Sequence, residues 1–165
     1  MAKNEKKEML IDKNTKVVIL KGGVSDERKV SESTARSVAN ALRERGLKVL
    51  EITVKEENLT NLTTEIRTLK PDVIFNALHG GMGENGVIQG LLETLKVPYT
   101  HSGVSASSIA MNKSISKKVF LSQNLSVIKG LLIRNANLWE EIPIKPPLVI
   151  KPNNGGSSVG VSFVN

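Results

Sequence analysis

Lys16-Val17-Val18-Ile19-Leu20-Lys21-Gly22-Gly23 opens on a short apolar run and stops on paired glycines. That combination predicts a buried strand followed by a turn. From Val30 the period changes. Ala35, Val38, Ala39 and Leu42 fall at helical spacing, with Arg36, Asn40 and Arg43 between them. Ser31 is the expected N-cap, and Gly46 the expected stop. Lys48 to Val54 then alternates Leu50, Ile52 and Val54, which predicts a second strand. A strand, a helix and a strand in that order begin a parallel sheet, because parallel neighbours need a crossover between them.

The alternation continues downstream. Leu59 to Leu69 reads as a weaker, threonine-rich helix, broken by Pro71. Asp72 to Leu78 reads as a third strand, His79 to Gly86 as a glycine-rich turn and Val87 to Leu95 as a helix. Pro98-Tyr99-Thr100 reads as a short fourth strand. The fold class is therefore α/β, a Rossmann-like parallel sheet with helices on both faces. Ser105 to Met111 and Lys113 to Leu121 predict two more helices, the second basic and amphipathic. Val127 to Ile133 reads as a strand. Asn135 to Ile142 reads as a polar connection with a short helix around Trp139. Pro143, Pro146 and Pro147 mark a turn before the apolar run Leu148-Val149-Ile150, which reads as a buried strand. A domain boundary is expected near Asn112. Residues 1–15 would form a flexible tail, 16–112 a first domain and 113–165 the start of a second.

Composition narrows the function. A chain of 165 residues buries one real core. It has no cysteine, which excludes a disulfide framework, a Cys-based zinc site and a Cys nucleophile. A reducing, cytoplasmic location fits that usage. No apolar run approaches the ~18 residues of a membrane span, and the charged N-terminus lacks a secretory apolar region. The net charge of +7 raises the question of nucleic acid. The lysines are scattered, however, and three Phe, one Tyr and one Trp make a poor stacking set. A solvated basic surface is the expectation, with neither nucleic acid nor membrane as partner.

Four stretches carry the chemistry-bearing residues. Gly22-Gly-Val-Ser-Asp-Glu-Arg-Lys-Val-Ser31 follows the first strand, at the carboxyl edge where open α/β sheets bind ligands. It matches neither the dinucleotide fingerprint nor the Walker-type phosphate loop. Glu27 could pair with a substrate ammonium, or simply sit in a solvated loop. His79-Gly-Gly-Met-Gly-Glu-Asn-Gly86 holds four glycines in eight residues, which implies close backbone approach or tight turns. His79 could bond a carboxylate, or be structural, and Glu84 could favour the next helix by its charge. Lys113 opens a helix. Paired with Lys151 it would clamp phosphates, since phosphoryl transfer needs positive charge at the developing anion. Finally, Lys151-Pro-Asn-Asn-Gly-Gly-Ser-Ser-Val-Gly160 joins two apolar runs through six consecutive Asn, Gly and Ser residues. Such a loop brings backbone N–H groups close to phosphate oxygens. The bland alternative is a polar hairpin.

At these residues the chain resembles the D-alanine–D-alanine ligases of the ATP-grasp superfamily. The resemblance runs from about Lys16 to Asn165. It is carried by Gly22-Gly-x-Ser-x-Glu-Arg-x-Val-Ser31 and by Ala77-Leu-His-Gly-x-x-Gly-Glu-x-Gly86 with Gln89-Gly90. Pro98-Tyr99-Thr100 with Ser102-Gly103, Met111-x-Lys113, and Lys151-Pro with Gly156-Ser-Ser-Val-Gly160 complete it. Each motif alone is weak; together and in order they are specific. The resemblance implies a pre-ATP-grasp domain followed by the first, incomplete part of an ATP-grasp domain. It implies that Glu27 binds the amino group of a first D-alanine, that Ser157 bonds Glu27 in the same site, and that His79 lies near the substrate carboxylate. It implies that Lys113 and Lys151 contact ATP phosphates under the backbone of Gly156, Ser157 and Ser158. The implied reaction joins two D-alanines through an acyl phosphate, for peptidoglycan synthesis.

ATP is the implied co-substrate and Mg2+ or Mn2+ the implied metal, with its ligands, the adenine pocket and a partner tyrosine expected outside this chain. A homodimer is implied too. Two departures stand out: Lys29, where many members are acidic, and Asn153-Asn154-Gly155 in place of an Arg/Glu-containing version. Family members carry roughly as much chain again, so the 165-residue chain alone is expected to be inactive. The alternative is a non-catalytic fragment that at most binds D-alanine-like ligands.

Overall fold

A computed structural model describes residues 11–134 and 144–165. The first ten residues of the expected tail, the connection around Trp139 and Pro143 lie outside the described residues. Strand β1 (Lys16–Gly22) is central in a parallel sheet of order β2-β1-β3, between β2 (Lys48–Val54) and β3 (Val73–Asn76). Val18 stands opposite Leu50 of β2 and Ile74 of β3. Helix α1 (Arg28–Glu44) makes the first crossover. A 3-10 segment, Glu56–Asn61, and α2 (Leu62–Leu69) make the second. Then come α3 (Val87–Leu95), α4 (Val104–Met111) and α5 (Lys113–Ser122). A two-stranded antiparallel ribbon, β4 (Leu148–Ile150) with β5 (Ser162–Val164), ends the chain.

The apolar run of β1 is continuous because both of its faces are covered. Alternate side chains of a strand point to opposite faces. Val17 and Ile19 meet Ala35 and Ala39 of α1, whose small side chains let helix and sheet approach. Val18 and Leu20 join Ile52, Val54, Leu62, Ile66, Ile74, Ile88 and Leu92 on the other face. Each fully buried Leu or Ile contributes about 1.5–3 kcal/mol by leaving water. The expected parallel sheet with helices on both faces is the observed one.

Several boundaries differ, each for a local reason. Helix α1 starts at Arg28, earlier than the apolar spacing indicates. Ser31 is therefore inside the helix, not its cap; its buried Oγ accepts a hydrogen bond from the Gly22 N–H at 2.9 Å. Gly46 does close the helix, in the left-handed region at φ 81°, with its N–H on the Arg43 carbonyl. Strand pairing of β3 stops at Asn76, whose side-chain oxygen takes the Leu78 N–H at 3.2 Å. The expected fourth strand is a single parallel bridge, Ile74 to Tyr99. Pro98 has no N–H with which to extend that ladder. Val127 to Ile133 forms no strand, because a strand exists only where a neighbour takes its backbone groups; Ile128 is 86% exposed. The β4 strand is present but not buried: both Val149 and Ile150 are exposed, since its ribbon has no covered face among the described residues.

On β2, Glu51 is held by two cations. Lys21 Nζ donates to Oε2 at 2.6 Å, and Arg43 Nη2 to Oε1 at 2.8 Å. The Lys21 bond first, then the Arg43 bond, holds the carboxyl below its ordinary value. A depressed carboxylate stabilises the fold above its unfolded pKa and loses that effect as pH falls through the folded one. Glu51→Gln should therefore lower stability by about 1 kcal/mol at pH 7. The difference from wild type should fade as pH drops from about 4.5 downward. Urea unfolding of both proteins between pH 7 and pH 2.5 measures this; a pH-independent difference would contradict it. A cavity of about 560 Å³ at this edge is lined by Lys21, Arg28, Glu32, Arg36, Arg43 and Glu51 among others. Its carboxylates are taken by its own cations. It shares no residue with the site described next.

Candidate functional site

The site begins where β1 ends. Gly22 has φ 88°, and a Cβ there would lie 2.9 Å from the Val54 carbonyl oxygen. Only glycine fits such a turn against the neighbouring strand. The chain then doubles back through Ser25 and places Glu27 at the cap of α1. Glu27 is buried to 9% exposure. Ser25 Oγ accepts from the Glu27 N–H at 3.3 Å and donates to the His79 carbonyl at 2.7 Å. One hydroxyl thus ties the first glycine turn to the second.

The second turn, after β3, is a hydrogen-bonded knot. The Gly83 carbonyl accepts from Asn76 Nδ2 and Gln89 Nε2, each at 2.9 Å, and Gln89 Oε1 takes the Gly86 N–H at 3.1 Å. These buried amides leave no orphaned groups, which is what such a turn requires. Gly80 lies so close to Glu27 that a Cβ there would run into Oε2. Its own N–H donates to Glu84 Oε2 at 3.0 Å. Glu84 therefore closes the turn. The His79 ring lies between Thr34 of α1, with Oγ1 3.0 Å from Nε2, and Glu84, with Oε1 3.8 Å from Nδ1.

The Asn/Gly/Ser loop comes to this same place. Ser157, 130 residues along the chain from Glu27, donates its hydroxyl to Glu27 Oε1. A Cβ on Gly156 would be 3.8 Å from that oxygen. Ser157 and Ser158 have φ 47° and 62°, a left-handed backbone that serine seldom adopts. Strain of this kind persists where surroundings hold it and is concentrated at functional sites. Helix α5 braces the loop. Asn112 caps it through the Ile115 N–H, the Lys113 N–H donates to the Asn153 carbonyl at 3.0 Å, and Lys113 Nζ donates to the Gly155 carbonyl at 2.7 Å. Lys151 stands at the base of the loop with its side chain exposed. The loop is a hairpin in topology, as the bland reading had it, but a hairpin folded onto a buried carboxylate.

The structure thus brings Glu27, Ser157, Gly156, Lys113 and the His79 turn to one end of the sheet. A pocket of about 330 Å³ opens beside them, with Glu84, Gln89, His101, Ser102, Gly155 and Gly156 in its wall; Glu27, His79, Lys113 and Ser157 border it without lining it. That volume suits a small ligand. A carboxylate with one oxygen fixed by a serine and the other set against a glycine can receive an ammonium group by a charge-assisted bond. Ser25, Thr34 and Asn112 were not singled out from the sequence. Two of them left a readable signal there: a serine can bond the backbone N–H two residues on, and an asparagine just before a helix is a preferred N-cap.

Residues 54–102 match a family model described as the D-ala D-ala ligase N-terminus. A D-alanine–D-alanine ligase of Ruegeria sp. is 47% identical over 150 residues, 91% of this chain and 48% of that protein. The chain is similar to the D-alanine–D-alanine ligases. A crystal structure of such a ligase from Bacillus anthracis superposes with a TM-score of 0.76 at 34% identity, over 91% of this chain and 49% of that one. A second Bacillus anthracis structure, complexed with ATP, gives 0.69 at 31% identity, over 91% of this chain and 50% of that one. The chain spans about half the length of the curated relatives it matches.

Proposed function

We propose that this chain forms the first-substrate and phosphate side of an ATP-dependent ligase that joins two D-alanines. Glu27 receives the ammonium of the first D-alanine, and Ser157 orients Glu27 for that contact. His79 lies by the carboxylate of the same substrate. Lys113, Lys151 and the N–H groups of Gly156, Ser157 and Ser158 hold the ATP phosphates. The γ-phosphoryl group passes to the D-alanine carboxylate, leaving ADP and an acyl phosphate. The amine of a second D-alanine attacks that carbonyl, and the tetrahedral intermediate expels inorganic phosphate and forms the peptide bond. The protein's part is positioning and charge neutralisation.

The hydrogen bond between Ser157 and Glu27 carries this reading. It ties the amino-group acceptor to the phosphate loop, so the reacting carboxylate would sit between them. Magnesium or manganese belongs to the proposal through the resemblance. Among the described residues no group of three His, Asp or Glu side chains could hold such an ion, and no step above is routed through one. The same reading makes residues 16–112 a pre-ATP-grasp domain and 113–165 the start of an ATP-grasp domain. It also makes the protein a cytoplasmic homodimer that supplies peptidoglycan synthesis. No described helix is long and apolar enough to cross a membrane.

The test joins this chain to the C-terminal half of the Ruegeria ligase. The folded chimera, checked by circular dichroism, should release phosphate from ATP only when D-alanine is present. Phosphate release indifferent to D-alanine would overturn the proposal.

A further inference from the structure

The proposed role of His79 needs a ring held in one orientation and one tautomer. The ring cannot set these alone, because either nitrogen of a neutral imidazole can carry the proton. The bond made by one nitrogen decides the state of the other. Thr34 makes that bond. It lies on α1 with its Oγ1 3.0 Å from His79 Nε2. It is one turn on from Ser31, whose hydroxyl fixes the Gly22 turn. The backbone of His79 is pinned separately, through its carbonyl, by Ser25.

The direction of the Thr34 bond follows from its surroundings. A helical threonine can also donate to the carbonyl four residues back, as Thr68 does to Thr64. Among the described residues the Thr34 hydroxyl has no such second bond, so its hydrogen is free for Nε2. On the opposite side of the ring, Nδ1 faces the Glu84 carboxylate at 3.8 Å. A carboxylate favours a proton on the nitrogen that faces it. At 3.8 Å that proton is too far for a full hydrogen bond to Glu84. Glu84 Oε2 is already occupied by the Gly80 N–H.

We infer that Thr34 is a positioning residue: its hydroxyl donates to Nε2 and holds His79 as the Nδ1–H tautomer. The Nδ1–H is then a free donor on the side of the glycine turn, available to an incoming carboxylate. This inference rests on the proposed reading of the site, in which His79 meets the carboxylate of D-alanine. A histidine left to water would not be restricted to that tautomer. Threonine at 34 therefore sets the polarity of a donor that it never presents to the ligand itself.

The chain has two histidines, so ring signals are readily assigned with a His101→Gln control. Long-range ¹H–¹⁵N spectra at pH 8.5 should show His79 with a protonated Nδ1 and a bare Nε2. Thr34→Val keeps the side-chain shape and loses the hydroxyl; its His79 should shift toward the Nε2–H form. Thr34→Ser should restore the wild-type pattern. D-alanine affinity, from calorimetric titration, should fall about 5-fold in Thr34→Val, the effect of one neutral hydrogen bond, and recover in Thr34→Ser. A wild-type His79 in the Nε2–H form, or a Thr34→Val spectrum identical to wild type, overturns the inference. If the wild-type chain binds no D-alanine while the spectra follow the stated pattern, the positioning by Thr34 stands and the functional reading fails.

Discussion

Glu27→Gln should weaken D-alanine binding by about 10- to 100-fold. A hydrogen bond to a charged partner is worth about 1.5–3 kcal/mol, and each 1.4 kcal/mol is tenfold in affinity. Glutamine keeps the outline of the side chain and one carbonyl oxygen for the Ser157 hydroxyl. It loses the negative charge that an ammonium group requires. The fold should hardly notice: the sheet core on either side of β1 contains no contact that depends on that charge. Calorimetric titration of both proteins with D-alanine, with melting curves alongside, separates the two effects. Equal affinities in the two proteins would remove Glu27 from the substrate site. Loss of binding together with a large fall in melting temperature would make the residue structural instead.

How much of this was legible in the chain follows from the range of the interactions. The sheet was legible because its signals are local in sequence. The continuous apolar run of β1 and the helical spacing of Ala35, Val38, Ala39 and Leu42 each state a burial pattern that the structure repeats. Helix α3 was placed at its observed limits, Val87 to Leu95, by its apolar run between Gly86 and the end of Leu95. Boundaries differ where a side chain takes over a backbone group outside its own element. Ser31 looked like a cap because its partner, the Gly22 N–H, is visible only once β1 and α1 have packed. The β3 ladder ends early because Asn76 serves its own turn. Val127 to Ile133 has strand-forming residues but, among the described residues, no strand beside it.

The site divides along the same line. The glycines advertised two turns and a loop, and the motif resemblance named Glu27, His79 and Ser157. Neither could show that Ser25 links the two turns, or that Thr34 faces the histidine ring. Those contacts depend on the pitch of α1 against the sheet edge, which single-residue patterns do not encode. The Lys113 reading is sharpened in a different way. Its ammonium bonds the Gly155 carbonyl and so braces the loop. A lysine with three donors can do this and still offer charge to an anion.

Gly80→Ala should damage fold and site together, through two separable causes. The first is backbone strain. Gly80 has φ 65° and ψ 173°, a combination essentially restricted to glycine. Alanine there costs about 1–3 kcal/mol, which lowers the melting temperature by about 2–4 °C per kcal/mol in a chain of this size. The second is collision: the new Cβ meets Glu27 Oε2, so the carboxylate must swing out of its place beside Ser157. D-alanine affinity should then fall at least as far as in Glu27→Gln. A double-mutant cycle with Glu27→Ala isolates the collision, because residues in contact show non-additive effects. Glycine-to-alanine at 80 should cost less stability in the Glu27→Ala background, where the strain and a tight 3.2 Å approach to Ser25 Oγ remain. Gly46→Ala supplies the comparison. Its φ of 81° is equally left-handed, but no atom lies within 4 Å of the added Cβ. It should lose stability and keep its D-alanine affinity. Equal costs for Gly80→Ala in the two backgrounds would show that the turn does not press on Glu27, and that the carboxylate is held by Ser157 alone.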